Sequence, residues 1–202
     1  EGPPPDDYPP MAVLGLPVAS AVVMLLATVS SVWLAGRTLD HRRFADFGFH
    51  LDRAWWLDLG FGLALGALLM AGIFVVERAA GWVRVRGLLW MPRSEVPFAL
   101  AMLAALGVFI AVGIYEELLA RGYQLLNLTE GLNRLPWGKR GAVLGAWVLS
   151  SLIFGLLHAR NPHATVLSTG NLAVAGLFLG LGYVLTGELA LPIGLHIAWN
   201  YF

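Results

Sequence analysis

The chain has 202 residues, of which 58% are hydrophobic and only 13% are charged, and its formal net charge is zero. An average soluble domain is about 25% charged, so this composition indicates a membrane protein. The balanced charge gives no indication of a nucleic-acid partner. The absence of cysteine excludes a thiol nucleophile, disulfides and thiolate metal sites.

The N-terminal residues 1–10 contain repeated prolines, which remove backbone donors and fix φ. We predict a flexible acidic tail there, followed by a single membrane-embedded domain over residues 11–202. A bilayer-spanning helix needs about 20 apolar residues. The uncharged runs that meet or approach this length are 11–36, 59–76, 96–115, 141–157, 164–186 and, short of a full crossing, 189–202. We expect the helix of the third run to continue to about Leu128.

The intervening segments 37–53 and 77–95 are polar and carry interleaved aromatic residues, as is typical of the membrane interface. Together these patterns predict an all-α fold. It is a polytopic membrane helix bundle with about six transmembrane segments and a polar intramembrane cavity.

Two adjacent carboxylates, Glu116 and Glu117, follow the third apolar run. Ionisable groups within a membrane helix are costly and usually functional. Neighbours on a helix point about 100° apart, so the two cannot face one site equally. Glu117 and Arg121 are spaced i, i+4 and share a face. We therefore expect Glu117 to pair with Arg121 and Glu116 to face a cavity; the alternative is that all three are solvated at the membrane surface.

Two later segments carry histidines in apolar surroundings. Glu116 lies about 20 residues before the loop near Pro136, and His158 lies about 20 after it, so antiparallel helices would bring them to similar heights. His196 and Asn200 are spaced i, i+4 and share one helix face. Both can donate hydrogen bonds, which suits a developing oxyanion. Each histidine could instead serve helix packing.

A glutamate and two histidines brought together allow two chemistries. Glu116 and His158 could deprotonate a water that attacks a carbonyl, with His196 and Asn200 stabilising the oxyanion. Alternatively, Glu116, His158 and His196 could bind Zn²⁺ and leave a position open for water. The chain has no His-Glu-x-x-His motif, so the sequence does not require a metal.

In the order of its motifs, the chain resembles the CPBP family. The motifs are Glu116-Glu117-x-x-x-Arg121, Phe154-x-x-x-His158 and His196-x-x-x-Asn200, on successive hydrophobic segments. The family comprises the CAAX prenyl endopeptidases of the Rce1 type and bacterial abortive-infection and bacteriocin-immunity membrane proteins. The resemblance covers roughly residue 55 to the C-terminus.

The resemblance implies an intramembrane endopeptidase. Glu116 and His158 would activate water, His196 and Asn200 would form the oxyanion site, and Glu117 with Arg121 would support them. We favour a glutamate-dependent route without a cofactor, with zinc as the alternative. The expected partners are a peptide or membrane-protein substrate and the lipid bilayer, with no nucleic acid. We expect a multi-pass protein of the plasma membrane of a prokaryote.

Two other functions remain compatible with the same polar cluster. One is a non-catalytic membrane protein that uses the cluster for packing or for binding a partner, as an immunity protein would. The other is an ion transporter, which would need a polar path on both sides of the membrane. Glu188 stands where members of the family often have a small residue, so the rim of the site is expected to differ from theirs.

Overall fold

The computed structural model describes residues 10–87, 89 and 96–202. The tail predicted at residues 1–10 lies outside this range except for Pro10, where the first helix begins. Part of the predicted interfacial segment 77–95 also lies outside the described residues, and its helical part extends to Ala79.

The described residues form helices and no strand, which confirms the predicted all-α class. A one-turn 3₁₀ helix, Phe44–Phe47, lies in the first connection, and another, His158–Arg160, follows α5. The main helices are α1 (Pro10–Thr38), α2 (Arg53–Ala79), α3 (Phe98–Glu117), α4 (Leu126–Leu132), α5 (Gly138–Leu157), α6 (Val166–Thr186) and α7 (Ala190–Tyr201).

Five stretches of the described chain are long and apolar enough to cross a membrane. They coincide with α1, α2, the helix from α3 to α4, α5 and α6. The predicted sixth segment is α7, which has 12 residues. At 1.5 Å per residue it is about 18 Å long, shorter than the hydrocarbon core. Much of α7 is nevertheless buried, because it lies among the longer helices.

A π-helical segment, Leu118–Leu125, joins α3 to α4, so the helix is continuous from Phe98 to Leu132. The sequence predicted the continuation but ended it near Leu128. π-Helical turns are rare and occur frequently at functional sites. Here the segment begins directly after Glu117 and contains Arg121.

Close contact between α2 and α7 depends on three glycines. A Cβ on Gly62 would overlap the carbonyl oxygen of Leu191, and one on Gly194 would overlap that of Leu59. A Cβ on Gly66 would stand 2.8 Å from the carbonyl oxygen of Leu195. Small residues allow membrane helices to approach until their backbones touch. These contacts fix the position of α7 against α2.

Glycines also allow α5 and α6 to pack closely against each other. A Cβ on Gly155 would come within 2.7 Å of the backbone nitrogen of Ala173, and one on Gly176 within 3.0 Å of the Ser151 carbonyl. Ser151 is 1% exposed, so this contact lies in the protein interior. The pairing fixes the end of α5, where His158 follows, beside α6.

The connection between α1 and α2 reaches the start of α7. Phe47 in this connection is fully buried. Gly48, which has a φ of +105°, accepts hydrogen bonds at its carbonyl from the backbone N–H of Leu189 and from Trp55 Nε1. A side chain on Gly48 would be strained at this φ. The connection thereby holds the turn before α7.

Polar contacts extend this attachment. Arg42 donates to Asn127 and forms an ion pair with Glu130, both on α4. His50 Nδ1 lies 2.5 Å from Glu188 Oε1, just before α7. The connection is therefore bound both to the helix that follows the two glutamates and to the helix that carries His196.

Candidate active site

The sequence-predicted site residues come from three helix regions that meet in the bundle. Glu116 and Glu117 end α3, His158 directly follows α5, and His196 and Asn200 lie on α7. Although these regions are separated by long stretches of sequence, four of the side chains line one cavity: Glu116, His158, His196 and Asn200.

Glu116 stands between the two histidines. Its Oε2 lies 3.7 Å from His158 Nε2 and 3.8 Å from His196 Nε2. These separations are too long for direct hydrogen bonds. Oε2 of Glu116 is buried and has no hydrogen-bond partner among the described residues. The carboxylate therefore points into the cavity with an unused acceptor.

The tautomer of each histidine follows from the partner of Nδ1. His158 Nδ1 lies 2.7 Å from the carbonyl oxygen of Phe154, and His196 Nδ1 lies 2.7 Å from Glu117 Oε1. A carbonyl or carboxylate oxygen can only accept, so Nδ1 carries the proton in both rings. When the rings are neutral, both Nε2 atoms are therefore acceptors facing Glu116.

Glu117 is fully buried and accepts hydrogen bonds from two side chains. Its Oε1 accepts from Arg121 Nη1 at 2.9 Å and from His196 Nδ1 at 2.7 Å. The pair with Arg121 is the one that the i, i+4 spacing predicts. The contact with His196 was missed by the sequence reasoning, since no local pattern links residues 79 positions apart.

Arg121 is 1% exposed, so its charge must be compensated inside the bundle. Besides Glu117, its Nη2 donates to the carbonyl of Gly176 on α6 at 2.8 Å. Its guanidinium carbon lies 4.5 Å from the centre of the Phe154 ring, a distance suited to a cation–π interaction. Arg121 thus connects α5 and α6 to the end of α3.

The shared cavity has a volume of about 230 Å³. Its polar wall comes from α3, α7 and the end of α5, and its apolar wall comes largely from α6. Asn161, in the connection after α5, is a further polar residue on the wall, and no motif in the sequence pointed to it. The apolar lining residues are Val112, Phe154, Leu172, Ala175, Phe178, Leu179 and Trp199.

The other three histidines and Glu188 do not line this cavity. His163 and His41 are exposed. His50 contacts Glu188. Glu188 precedes α7 by two residues and does not line the cavity.

The donor types for zinc are present, because two histidines and a carboxylate form a known catalytic zinc set. Ligand atoms around tetrahedral zinc, with bonds of about 2.0 to 2.1 Å, stand about 3.3 Å apart. The distances from Glu116 to the two histidines are 3.7 and 3.8 Å. In the described part of the chain no three histidine, aspartate or glutamate side chains are grouped to hold a metal. The side chains as they stand do not fit zinc.

Comparison with known proteins gives one match. Residues 98–202, just over half of the chain, match the family described as type II CAAX prenyl endopeptidase Rce1-like. No curated protein and no solved structure matches the chain. The matched region contains all the site residues but not α2, whereas the resemblance was expected to begin near residue 55.

The family match confirms the resemblance read from the three motifs. Membership implies CAAX-type intramembrane protease activity, and the five apolar helices accord with a multi-pass membrane protein. The chain belongs to the type II CAAX prenyl endopeptidase Rce1-like family.

Proposed function

We propose that this protein is an intramembrane endopeptidase that hydrolyses a peptide bond with a water activated by Glu116 and His158. His196 and Asn200 stabilise the oxyanion, and no cofactor takes part. The observation that carries the proposal is the approach of both Nε2 atoms to Glu116 Oε2, within 3.8 Å, in a cavity that Asn200 also lines.

Glu116 is the general base. Its buried Oε2 has no partner among the described residues, and a buried polar atom normally has one. A water between polar groups that are more than 3.5 Å apart can satisfy both. Glu116 Oε2 and His158 Nε2 each accept one hydrogen of that water. The Phe154 carbonyl fixes the His158 ring, so the lone pair of Nε2 faces the water.

To donate to the oxyanion from Nε2 while Nδ1 donates to Glu117, His196 must be an imidazolium. Two carboxylates, Glu116 and Glu117, face one guanidinium, that of Arg121, and one added proton brings the total charge to zero. Buried charge is costly unless it is balanced. His196 approaches both carboxylates, with Nδ1 at Glu117 and Nε2 towards Glu116. An imidazolium at His196 donates from Nε2.

The reaction then proceeds in two steps. The water oxygen forms a bond to the carbonyl carbon while Glu116 takes a proton, and the carbonyl electron pair moves to oxygen. His196 Nε2–H and the Asn200 carboxamide donate to this oxyanion. When the C–N bond breaks, the carbonyl re-forms and the proton on Glu116 passes to the leaving nitrogen. The products are an amine and a carboxylic acid, which keeps the second hydrogen of the water.

Cleavage by the purified protein in detergent micelles tests the proposal. The probe is an internally quenched fluorescent peptide that ends in S-farnesylcysteine and three further residues, compared with the same peptide lacking the farnesyl group. Glu116→Gln keeps the shape of the side chain and removes the base. We expect kcat to fall by at least about 10³-fold while the Tm stays within a few degrees of wild type.

Glu130→Gln is the matched control, because Glu130 is an exposed carboxylate on α4 that does not line the cavity. Surface ion pairs contribute little to stability, so this variant should cleave at the wild-type rate. Equal cleavage by Glu116→Gln and Glu130→Gln would refute the mechanism. Failure of the wild-type protein to cleave either peptide would refute the activity.

A further inference from the structure

Two histidine–asparagine pairs flank Glu116. On α7, Asn200 follows His196 by four residues, and after α5, Asn161 follows His158 by three. Both asparagines are exposed, and both line the cavity that contains Glu116. The proposed mechanism uses Asn200 and leaves Asn161 without a role.

The backbone around Asn161 is held firmly. Its N–H donates to the carbonyl of His158 at 3.0 Å, and its own carbonyl accepts from the N–H of Ala164 at 3.1 Å. Pro162 follows and restricts Asn161 to an extended conformation, as its φ of −65° and ψ of 149° indicate. A carboxamide attached to a fixed backbone can bind a ligand without a large loss of conformational entropy.

The chemistry of the cavity wall explains what Asn161 can offer. On the His158 side of the cavity, Glu116 Oε2 and the Nε2 atom of a neutral His158 ring can only accept hydrogen bonds. A peptide substrate presents both N–H donors and carbonyl acceptors. A carboxamide has donors and an acceptor on one plane, so it can pair with both groups of a peptide unit. The opposite wall, from α6, is apolar and has no polar side chain for this task.

We propose that Asn161 binds a main-chain peptide group of the substrate beside the scissile bond, on the His158 side of the cavity. This inference rests on the proposed function, since it takes a peptide as the ligand. Asn200 then meets the reacting carbonyl, and Asn161 holds the chain next to it. Loss of Asn161 therefore weakens substrate binding more than it slows the chemical step.

Binding measured on the Glu116→Gln background tests this assignment. The probe is the farnesylated peptide, labelled with fluorescein and followed by fluorescence anisotropy. We expect Asn161→Leu to raise Kd about tenfold, the loss of one to two hydrogen bonds. The matched control is Asn133→Leu, an exposed asparagine in the turn before α5, at the other end of that helix. Its Kd should equal that of the background protein.

A series of probes with one peptide N–H at a time replaced by an ester oxygen identifies the contact. One ester probe should bind the Glu116→Gln protein several-fold more weakly than the parent peptide does. The Kd of that probe should rise little further when Asn161→Leu is added. A Kd for Asn161→Leu within twofold of that for Asn133→Leu would overturn the inference. The inference would also be overturned if Asn161→Leu raised the Kd of every ester probe by the same factor, or if the Glu116→Gln protein did not bind the peptide.

Kinetics of the otherwise wild-type enzyme separate this inference from the proposed function. Asn161→Leu should raise KM about tenfold and change kcat less than threefold. A main effect on kcat would contradict the binding role while leaving the protease reaction intact. Undiminished cleavage by Glu116→Gln would instead contradict the proposed mechanism, and the Kd comparison would still decide the role of Asn161.

Discussion

Glu117 Oε1 and His196 Nδ1 lie 2.7 Å apart in the interior of the bundle, although 79 residues separate them in the chain. This hydrogen bond joins the end of α3 to α7 and fixes the His196 ring with Nε2 towards Glu116. The second glutamate is therefore more than the partner of Arg121. It also orients the histidine proposed to stabilise the oxyanion.

Substitution of Glu117 by glutamine should affect kcat more than KM. The variant keeps the size of the side chain but removes the negative charge that lies against Nδ1 of His196. We expect kcat to fall about 10²-fold, as for loss of one oxyanion donor, with KM changed less than threefold. Steady-state cleavage of the quenched peptide measures both constants. A change confined to KM would contradict the positioning role.

Glu117→Asp provides a check on this reasoning. Aspartate retains the charge on a shorter side chain, so it should recover part of the lost kcat. If Glu117→Asp were as slow as Glu117→Gln while both remained folded at the assay temperature, the charge at this position would not be what His196 requires.

Removal of Arg121 should destabilise the fold. Arg121→Leu leaves the fully buried Glu117 carboxylate without its cation, and loss of one partner of a buried ion pair costs about 3 to 5 kcal/mol. Thermal unfolding in micelles, followed by tryptophan fluorescence, measures the loss. The double variant Glu117→Leu/Arg121→Leu should be more stable than Arg121→Leu alone, because no buried charge remains unpaired at the pair.

Arg134→Leu is the control for that experiment, since Arg134 is exposed in the turn before α5. Its free energy of unfolding should lie within about 0.5 kcal/mol of the wild-type value. A double variant less stable than wild type by the sum of the two single effects would show that the two side chains act independently.

A methyl group at Gly62 should disturb the site from a distance. Gly62→Ala forces the Cβ into the Leu191 carbonyl, so α2 and α7 must separate. Overpacking of this kind costs about 1 to 3 kcal/mol and moves the helix that carries His196 and Asn200. We expect a lower Tm and a reduced kcat for peptide cleavage.

Gly60→Ala is the matched control on the same helix, because nothing lies within 4 Å of a Cβ at that position. It should behave as wild type or be slightly more stable, since alanine is the better helix former. The interpretation of the α2–α7 contact would be wrong if the two alanine variants had the same Tm and the same activity.

Removal of divalent metal should leave the enzyme active. The separations of 3.7 and 3.8 Å between Glu116 and the histidines do not fit zinc as the side chains stand. We expect kcat/KM after dialysis against EDTA to stay within twofold of its starting value. A loss of activity that added Zn²⁺ restores would favour the zinc alternative over the glutamate-dependent route.

The arrangement of spanning helices follows from local properties of the sequence. Runs of apolar residues meet or approach the length that crosses the hydrocarbon core. The positions of α1, α5 and α6 could therefore be predicted within a few residues, whereas α2 begins six residues before its apolar run. The Glu117–Arg121 pair could be predicted as well, because i, i+4 spacing places both residues on one helix face. The order of the three motifs identified the family.

Other features could be decided only by the tertiary structure. The π-helical segment after Glu117 cannot be recognised from hydropathy, because the same apolar residues can form either an α-helical or a π-helical turn. The Glu117–His196 bond and the place of Asn161 on the cavity wall depend on how separate helices pack. That packing is set by close contacts such as Gly62 with Leu191, which no local pattern encodes. The sequence alone determined the helices and the residue types of the site; packing decided which polar atoms meet, because hydrogen bonds act over about 3 Å.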